Sequence, residues 1–165
     1  MPKTLYLVRH AKSSTKNPEL SDSERPLNKR GKHDAPVVGK FLKQKNEIPE
    51  LLVSSPAKRA IKTAEYFAEE LHISKKIILE ESLYMAGIND FISVIENIDD
   101  SVNSIMIFSH NPGITGFANY ITGSNIENIP TAGTARIDFN INRWKDCRKT
   151  KGELKFFISP KNLNV

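Results

Sequence analysis

Three short stretches of the 165-residue chain set histidine or arginine beside small polar residues. They are Arg9-His10, Ser54-Ser55-Pro56 with Arg59 three residues on, and Ser109-His110-Asn111-Pro112. Arginine presents a planar fork of donors matched to phosphate oxygens, and its charge survives at any relevant pH. A neutral imidazole is a competent nucleophile towards phosphorus, and two neighbouring guanidinium groups should depress its pKa and keep it unprotonated. In phosphoryl transfer, charge spreads over the equatorial oxygens, so positioned cations supply most of the stabilisation. These residue types therefore suit transfer of a phosphoryl group onto an imidazole. No carboxylate cluster of metal-ligand spacing accompanies them, so the arginines are expected to do a metal ion's work, with no metal and no other cofactor. Singly, each residue has an ordinary structural reading: an ion-pair arginine, a solvated helix arginine, a histidine capping a helix. Recurrence at three separate places weakens that reading.

What must position them is a set of strands. Leu5-Tyr6-Leu7-Val8 runs into Arg9-His10, Leu51-Leu52-Val53 into Ser54-Ser55, and Ile105-Met106-Ile107-Phe108 into Ser109-His110. Short apolar runs alternating with longer amphipathic stretches predict an α/β domain on a mainly parallel sheet, whose ligands bind beyond the carboxyl ends of the strands. Ile77–Leu79, Ala135–Ile141 and Leu154–Ile158 are the remaining strand candidates, the last two forming a hairpin. Ala57, Ala60, Ile61, Ala64, Phe67, Ala68 and Leu71 share one face of a helix predicted from Pro56 to about Leu71, capped by Ser55. A second helix is expected from Pro112 to about Ile121 with Asn111 as its cap. A third spans Asn28 to Lys45, where Pro36 should cause a kink or a late start.

At this length the chain fits one domain, residues 1–165, with a sizeable core. Its 39% hydrophobic and 26% charged residues are those of a soluble globular protein. Cys147, the only cysteine, excludes an intramolecular disulfide and a multi-thiolate metal site. The apolar run in MPKTLYLVRHAK is too short for a signal core or a membrane span, so a cytoplasmic protein without a membrane partner is expected. The net charge of +5 favours anionic ligands. The basic residues are scattered, however, and no nucleic-acid partner is expected. The basic stretch Arg143–Lys151 reads as a solvated loop beside a packed Trp144. His33 and His72 read as surface residues, and Cys147 has no partner that would make it a nucleophile.

With these residues in view, the sequence resembles the histidine phosphatase superfamily, which includes cofactor-dependent phosphoglycerate mutases and acid phosphatases. The hallmark of that group is an Arg-His pair ending the first strand, usually followed by Gly. Here it stands as LVRHAKSS, with Ala11 in place of Gly. The SixA-like branch of phosphohistidine phosphatases is most similar, through SDSERPLNKRG, LLVSSPAKRAIKTAE, FSHNPGI, PTAGTARIDF and ISPKNL. The resemblance implies a three-layer α/β/α sandwich around a mainly parallel six-stranded sheet. It makes His10 the nucleophile that forms a phosphohistidine intermediate, with Arg9, Arg59 and His110 as the phosphate-binding set. It also matches Arg25, in the RPL segment, to a further arginine near the pocket. Glu81, in EESLYMAG, falls near the mutases' general acid, with Glu80 and Asp22 as alternatives.

Larger members of the superfamily carry long inserted caps, for which this chain has no room between Ile77 and Asn103. An open, shallow pocket is therefore expected, better suited to a phosphorylated protein side chain than to an enclosed sugar phosphate. Imidazole leaves readily once protonated, so a weak general acid harms phosphohistidine hydrolysis least. The leading expectation is a monomeric phosphohistidine phosphatase acting on phosphorylated proteins. A broader phosphomonoesterase, acting on small metabolites or phosphoserine, and a non-catalytic phosphoprotein-binding module are the alternatives. Lys12 and Ser13 either touch phosphate or only shape the loop.

Overall fold

The computed structural model describes residues 2–163. Six strands, β1 (Lys3–Arg9), β2 (Leu51–Ser54), β3 (Ile78–Leu79), β4 (Ser104–Ser109), β5 (Thr134–Phe139) and β6 (Glu153–Ile158), form one sheet in the order β3-β2-β4-β1-β5-β6. β1 pairs in parallel with β4, β4 with β2, and β2 with β3. β5 runs antiparallel to both β1 and β6, so it alone opposes the common direction. The register Leu7↔Ile107 and Val53↔Ile107 brings the carboxyl ends of β1, β2 and β4 level at one edge.

The alternation of side chains along the strands explains the layering. Leu5 and Leu7 join Val53, Ile105, Ile107 and Ile137 on one face. Helices α3 (Ile88–Glu96) and α4 (Gly113–Thr122) cover that face through Phe91, Ile92, Ile95, Ile114, Phe117 and Ile121. Tyr6, Val8, Leu52, Met106 and Phe108 occupy the other face, under α1 (Lys29–Gln44) and α2 (Lys58–Leu71). Central strands buried on both faces have no polar alternation to show, which is why they read as continuous apolar runs. The α/β/α sandwich implied by the sequence is the fold observed.

Several boundaries differ from the sequence reading. α2 begins at Lys58, two residues later than predicted. The Ser55 hydroxyl still accepts the Ala57 N–H at 3.1 Å, from a turn before the helix. α4 begins at Gly113 without a side-chain cap, because Asn111 is turned to other partners. α1 starts at Lys29 with no delay, capped by Asn28 Oδ1 on the Gly31 N–H. Pro36 lies inside it on a half-exposed position, and Lys32, whose carbonyl loses its helical donor, is exposed to water. Helix α3 was not foreseen. It is nine residues long, with four buried apolar side chains in a stretch rich in β-branched residues, and its helicity comes from packing on the sheet.

The basic stretch near the hairpin is a 3₁₀ segment, Trp144–Lys149. Trp144 is fully buried and donates Nε1–H to the Val102 carbonyl at 2.8 Å, while Arg143 and Arg148 pair with Asp146 and Glu96. No helix among the described residues is long and apolar enough to cross a membrane.

Candidate active site

At the level carboxyl ends of β1, β2 and β4 the sheet opens into a cleft of about 1070 Å³, lined by Arg9, His10, Arg59 and His110 among others. Its two imidazoles are recessed, His10 and His110 each being only 7% exposed. Their ring centroids stand 5.1 Å apart. This is deeper than the shallow pocket expected from the missing cap. Tyr84 to Ile88 rises along one side to give the cleft a wall.

The environment of His10 settles its tautomer. Nδ1 lies 2.7 Å from the Ala11 carbonyl, which can only accept, so Nδ1 carries the proton and Nε2 keeps its lone pair. Arg59 Nε–H approaches that lone pair at 3.4 Å, the weak end of hydrogen bonding. The His10 pKa is lowered to about 4, first by burial and then, against the Ala11 hydrogen bond, by Arg59, Arg9 and Arg25. The direction is the one expected from the sequence. The leading cause is burial, which no spacing of arginines reveals.

The backbone that delivers Arg9 and His10 is pinned from several sides. Ala132, in the left-handed region at φ 61°, donates its N–H to the Arg9 carbonyl at 2.9 Å. Ala11 donates to Thr63 Oγ1 at 2.9 Å and does not have a positive φ, so the place the family usually gives to Gly needs none here. The close approach falls instead at Gly31, where a Cβ would lie 2.1 Å from the Lys12 carbonyl oxygen. Arg9 is half-buried and donates Nη1–H to the Ile129 carbonyl at 3.1 Å, while its buried Nε has no partner among the described residues.

His110 depends on Ser55, a residue the sequence reading treated only as a helix cap. Ser55 Oγ accepts the Ala57 N–H and lies 2.7 Å from His110 Nε2, so its own proton is free to go to that nitrogen. The other ring nitrogen, Nδ1, is buried without a partner among the described residues. Burial first, then the charges of His10 and Arg59, lower the His110 pKa to about 3. Both rings are neutral at neutral pH. Of the two, His10 has its tautomer fixed by a carbonyl, and its Nε2 offers an electron pair.

Arg59, only 5% exposed, spends its terminal nitrogens on Asp22. Nη1 donates to the Asp22 carbonyl at 2.6 Å and Nη2 to Oδ2 at 3.0 Å. Arg25 holds the other carboxylate oxygen at 3.0 Å and reaches Ser13 Oγ at 2.7 Å. The Tyr84 hydroxyl donates to Asp22 Oδ2 and its ring stands edge-on to His110 with centroids 5.5 Å apart. That hydroxyl, ahead of the two arginines, holds the Asp22 carboxyl far below the usual carboxylate range.

The structure thus brings Arg9, His10, Arg59, His110 and Arg25 into one cleft. Glu81 stands apart: it is exposed, opens the short turn Glu81–Leu83 and does not line the cleft, whereas Tyr84 three residues on does. Glu80 is tied by its N–H to the Ser54 carbonyl and is likewise absent from the lining. Asp22 is at the site but ionised, and as an acid it has no proton to give. Lys12 and Ser13 both line the cleft. His33 and His72 are exposed. Cys147 is buried in the core beside Trp144, and burial pushes its thiol up to about 11, far from a thiolate nucleophile.

An open α/β sheet that gathers neutral imidazoles and guanidinium groups at its strand ends belongs to the class of phosphoryl-transfer folds. The comparison with known proteins makes this specific. The model of the histidine phosphatase superfamily (branch 1) matches residues 5–84. An uncharacterised protein of Mycobacterium leprae is 30% identical over 166 residues, covering 93% of this chain and all of that one. An uncharacterised chloroplastic protein of Arabidopsis thaliana is 27% identical over 157 residues, covering 90% of this chain and 72% of that one. Among solved structures, the provisionally assigned phosphohistidine phosphatase SixA of Agrobacterium tumefaciens superposes with TM-score 0.84 at 25% identity, over 97% of this chain and 99% of its own. The protein histidine phosphatase SixA complexed with tungstate shares the fold at TM-score 0.84 and 20% identity, over 98% and 99%. The chain belongs to the histidine phosphatase superfamily, and it is a phosphatase with a SixA-like fold.

Proposed function

We propose that the protein hydrolyses phosphohistidine on phosphorylated proteins, without a metal ion, through a phosphohistidine formed on its own His10. The observation that carries this reading is the His10 tautomer: with Nδ1–H given to Ala11, Nε2 keeps its lone pair beside Arg59 in a cleft that Arg9 also lines. Nε2 attacks phosphorus, an N–P bond forms, and the substrate P–N bond breaks. The departing imidazole nitrogen takes a proton from water, which an open cleft admits freely. Water then attacks the His10 phosphoryl group, the Nε2–P bond breaks, and inorganic phosphate leaves as the ring regains its lone pair. Arg9, Arg59 and His110 bind the phosphoryl oxygens and stabilise the charge that builds on them. Arg25 acts one bond further out, through Asp22 and Ser13.

The absence of a carboxylic acid from the cleft supports phosphohistidine over an alkyl phosphate. Glu81 is outside, Asp22 is ionised, and an alcohol leaving group would need the proton donor that neither supplies. The same chemistry makes a mutase unsuitable, because a water-filled site discharges its intermediate. The protein is proposed to act as a cytoplasmic monomer with a phosphoprotein as its partner.

A substrate panel tests this. Phosphohistidine protein, phosphoserine peptide and sugar phosphates are compared for kcat/KM, with and without a chelator, together with rapid-quench trapping of labelled phosphate on His10. Preference for phosphohistidine, indifference to the chelator and acid-labile label on His10 are expected. Chelator sensitivity, or turnover retained in His10→Ala, would defeat the mechanism.

A further inference from the structure

Beside the cleft lies a second cavity of about 710 Å³, and Arg9, Lys12 and Thr131 line both. The two spaces are therefore adjacent, with Arg9 and Lys12 between them. The second one is strongly cationic. Arg9, Lys12, Arg30 and Lys161 face it against a single acid, Asp34. Asp34 is buried and already engaged, by Arg30 Nε at 3.0 Å and His33 Nδ1 at 3.1 Å. Lys12 and Lys161 make no ion pair with any described residue, and Arg9 has no carboxylate partner. Chemistry at His10 uses none of Arg30, Asp34 or Lys161.

We propose that this groove seats acidic side chains flanking the phosphorylated residue of a protein substrate. The inference rests on the phosphohistidine reading and adds to it which phosphoproteins are taken. Among the paths out of the cleft for the chain that carries a phosphoryl group at His10, two differ sharply in character. One passes Met85, 81% exposed, and Ile88 on the apolar wall. The other crosses Arg9 and Lys12 into the groove. Carboxylates on that second path meet Lys161 and the terminal nitrogens of Arg30, whose bond to Asp34 is made through Nε. Complementary rim charges of this kind select partners and speed encounter more than they tighten the complex. The cleft alone already reaches the upper end of small-molecule site volumes, about 300–1,000 Å³, so a small bisphosphate would leave the two spaces largely unfilled. A polypeptide would not.

The test uses two phosphohistidine peptides that differ only in Glu or Gln at the flanking positions, and phosphoramidate as a substrate with no flanks. Wild-type enzyme should turn over the Glu peptide with kcat/KM about fivefold higher, from two exposed charge pairs. Arg30→Gln combined with Lys161→Gln should abolish that preference and leave phosphoramidate turnover unchanged. Arg30→Gln also deprives buried Asp34 of a partner, so Lys161→Glu alone serves as the second variant, and it should reverse part of the preference. Equal kcat/KM for the two peptides with wild-type enzyme, or a preference that survives both variants, overturns the groove. Binding of the same peptides to His10→Ala separates the two readings. Glu selectivity in binding without any turnover of either peptide by wild-type enzyme defeats the reaction and keeps the groove. A single-stranded oligonucleotide that competes better than the Glu peptide, and does so through Lys161, overturns the proposal in favour of nucleic acid.

Discussion

Arg9 and Arg59 line one cleft, yet they are held in opposite ways. Arg9 is the last residue of β1 and is fastened to a backbone carbonyl, Ile129, without an ion pair among the described residues. Arg59 is the more deeply buried, yet both its terminal nitrogens rest on Asp22, whose side chain is about half exposed. The floor of the cleft, made of Arg9, His10, Ser55 and His110, is therefore placed by strands and buried hydrogen bonds. The rim, made of Asp22, Arg25 and Tyr84, is placed by side chains touching side chains near water. Buried bonds lose much when one partner goes, whereas exposed pairs are individually weak. Substitutions should follow that division.

The largest loss is expected on the floor. His10→Ala should lower turnover of phosphohistidine protein by about 10⁴-fold or more, since it removes the atom that attacks phosphorus, with circular dichroism unchanged. Arg9→Ala and Arg59→Ala should each cost about 10²–10³-fold in kcat, the scale of removing one preorganised charge. A gap wider than tenfold between the two would mean that Asp22 already neutralises Arg59 for this purpose. Ser55→Ala, which removes the hydroxyl that orients His110, should cost about tenfold in kcat, the worth of one buried hydrogen bond. Asp22→Asn, at the rim, should change kcat/KM by only about threefold. A thousandfold loss there would erase the distinction between floor and rim.

The same contrast appears in the dependence of stability on pH, with two different windows. His10 and His110 have folded pKa values lowered from 6.5 to about 4 and about 3. Below 6.5 the unfolded chain binds protons that the folded chain refuses. Their contribution is fully present above 6.5 and is lost as pH falls towards 4 and 3. Urea midpoints of the wild type should decline across that range, and His10→Gln should flatten the slope. Asp22, also depressed, contributes stability above the ordinary carboxylate range and loses it only at more acidic pH. Asp22→Asn should remove the more acidic window and, by taking a negative charge away from His110, extend the histidine window to slightly lower pH.

The three strand-end motifs, the six strands and helices α1, α2 and α4 were legible in the chain, because local patterning dictates them. Leu5 to Val8 is apolar throughout since both of its faces are covered, and Arg9-His10 follows with nothing intervening. Helix α3 was not legible, because nine residues gain helicity only from the sheet beneath them. Glu81 was chosen from sequence for lying near a motif. The turn Glu81–Leu83 buries Leu83 and brings Tyr84, not Glu81, to the cleft. The Ser-Ser-Pro spelling suggested a cap, and nothing in it signalled that Ser55 would meet His110 across 55 positions of sequence.

The sequence by itself determined which residue types end the strands, and with them the kind of chemistry and the family. Residue types and their alternation are properties of the chain read locally. Only the tertiary structure decided which nitrogen of His10 keeps its lone pair, that burial more than arginine charge keeps both rings neutral, and that Arg59 is bound by Asp22. Each of these depends on what stands within a few ångströms in space, on segments far apart in the chain.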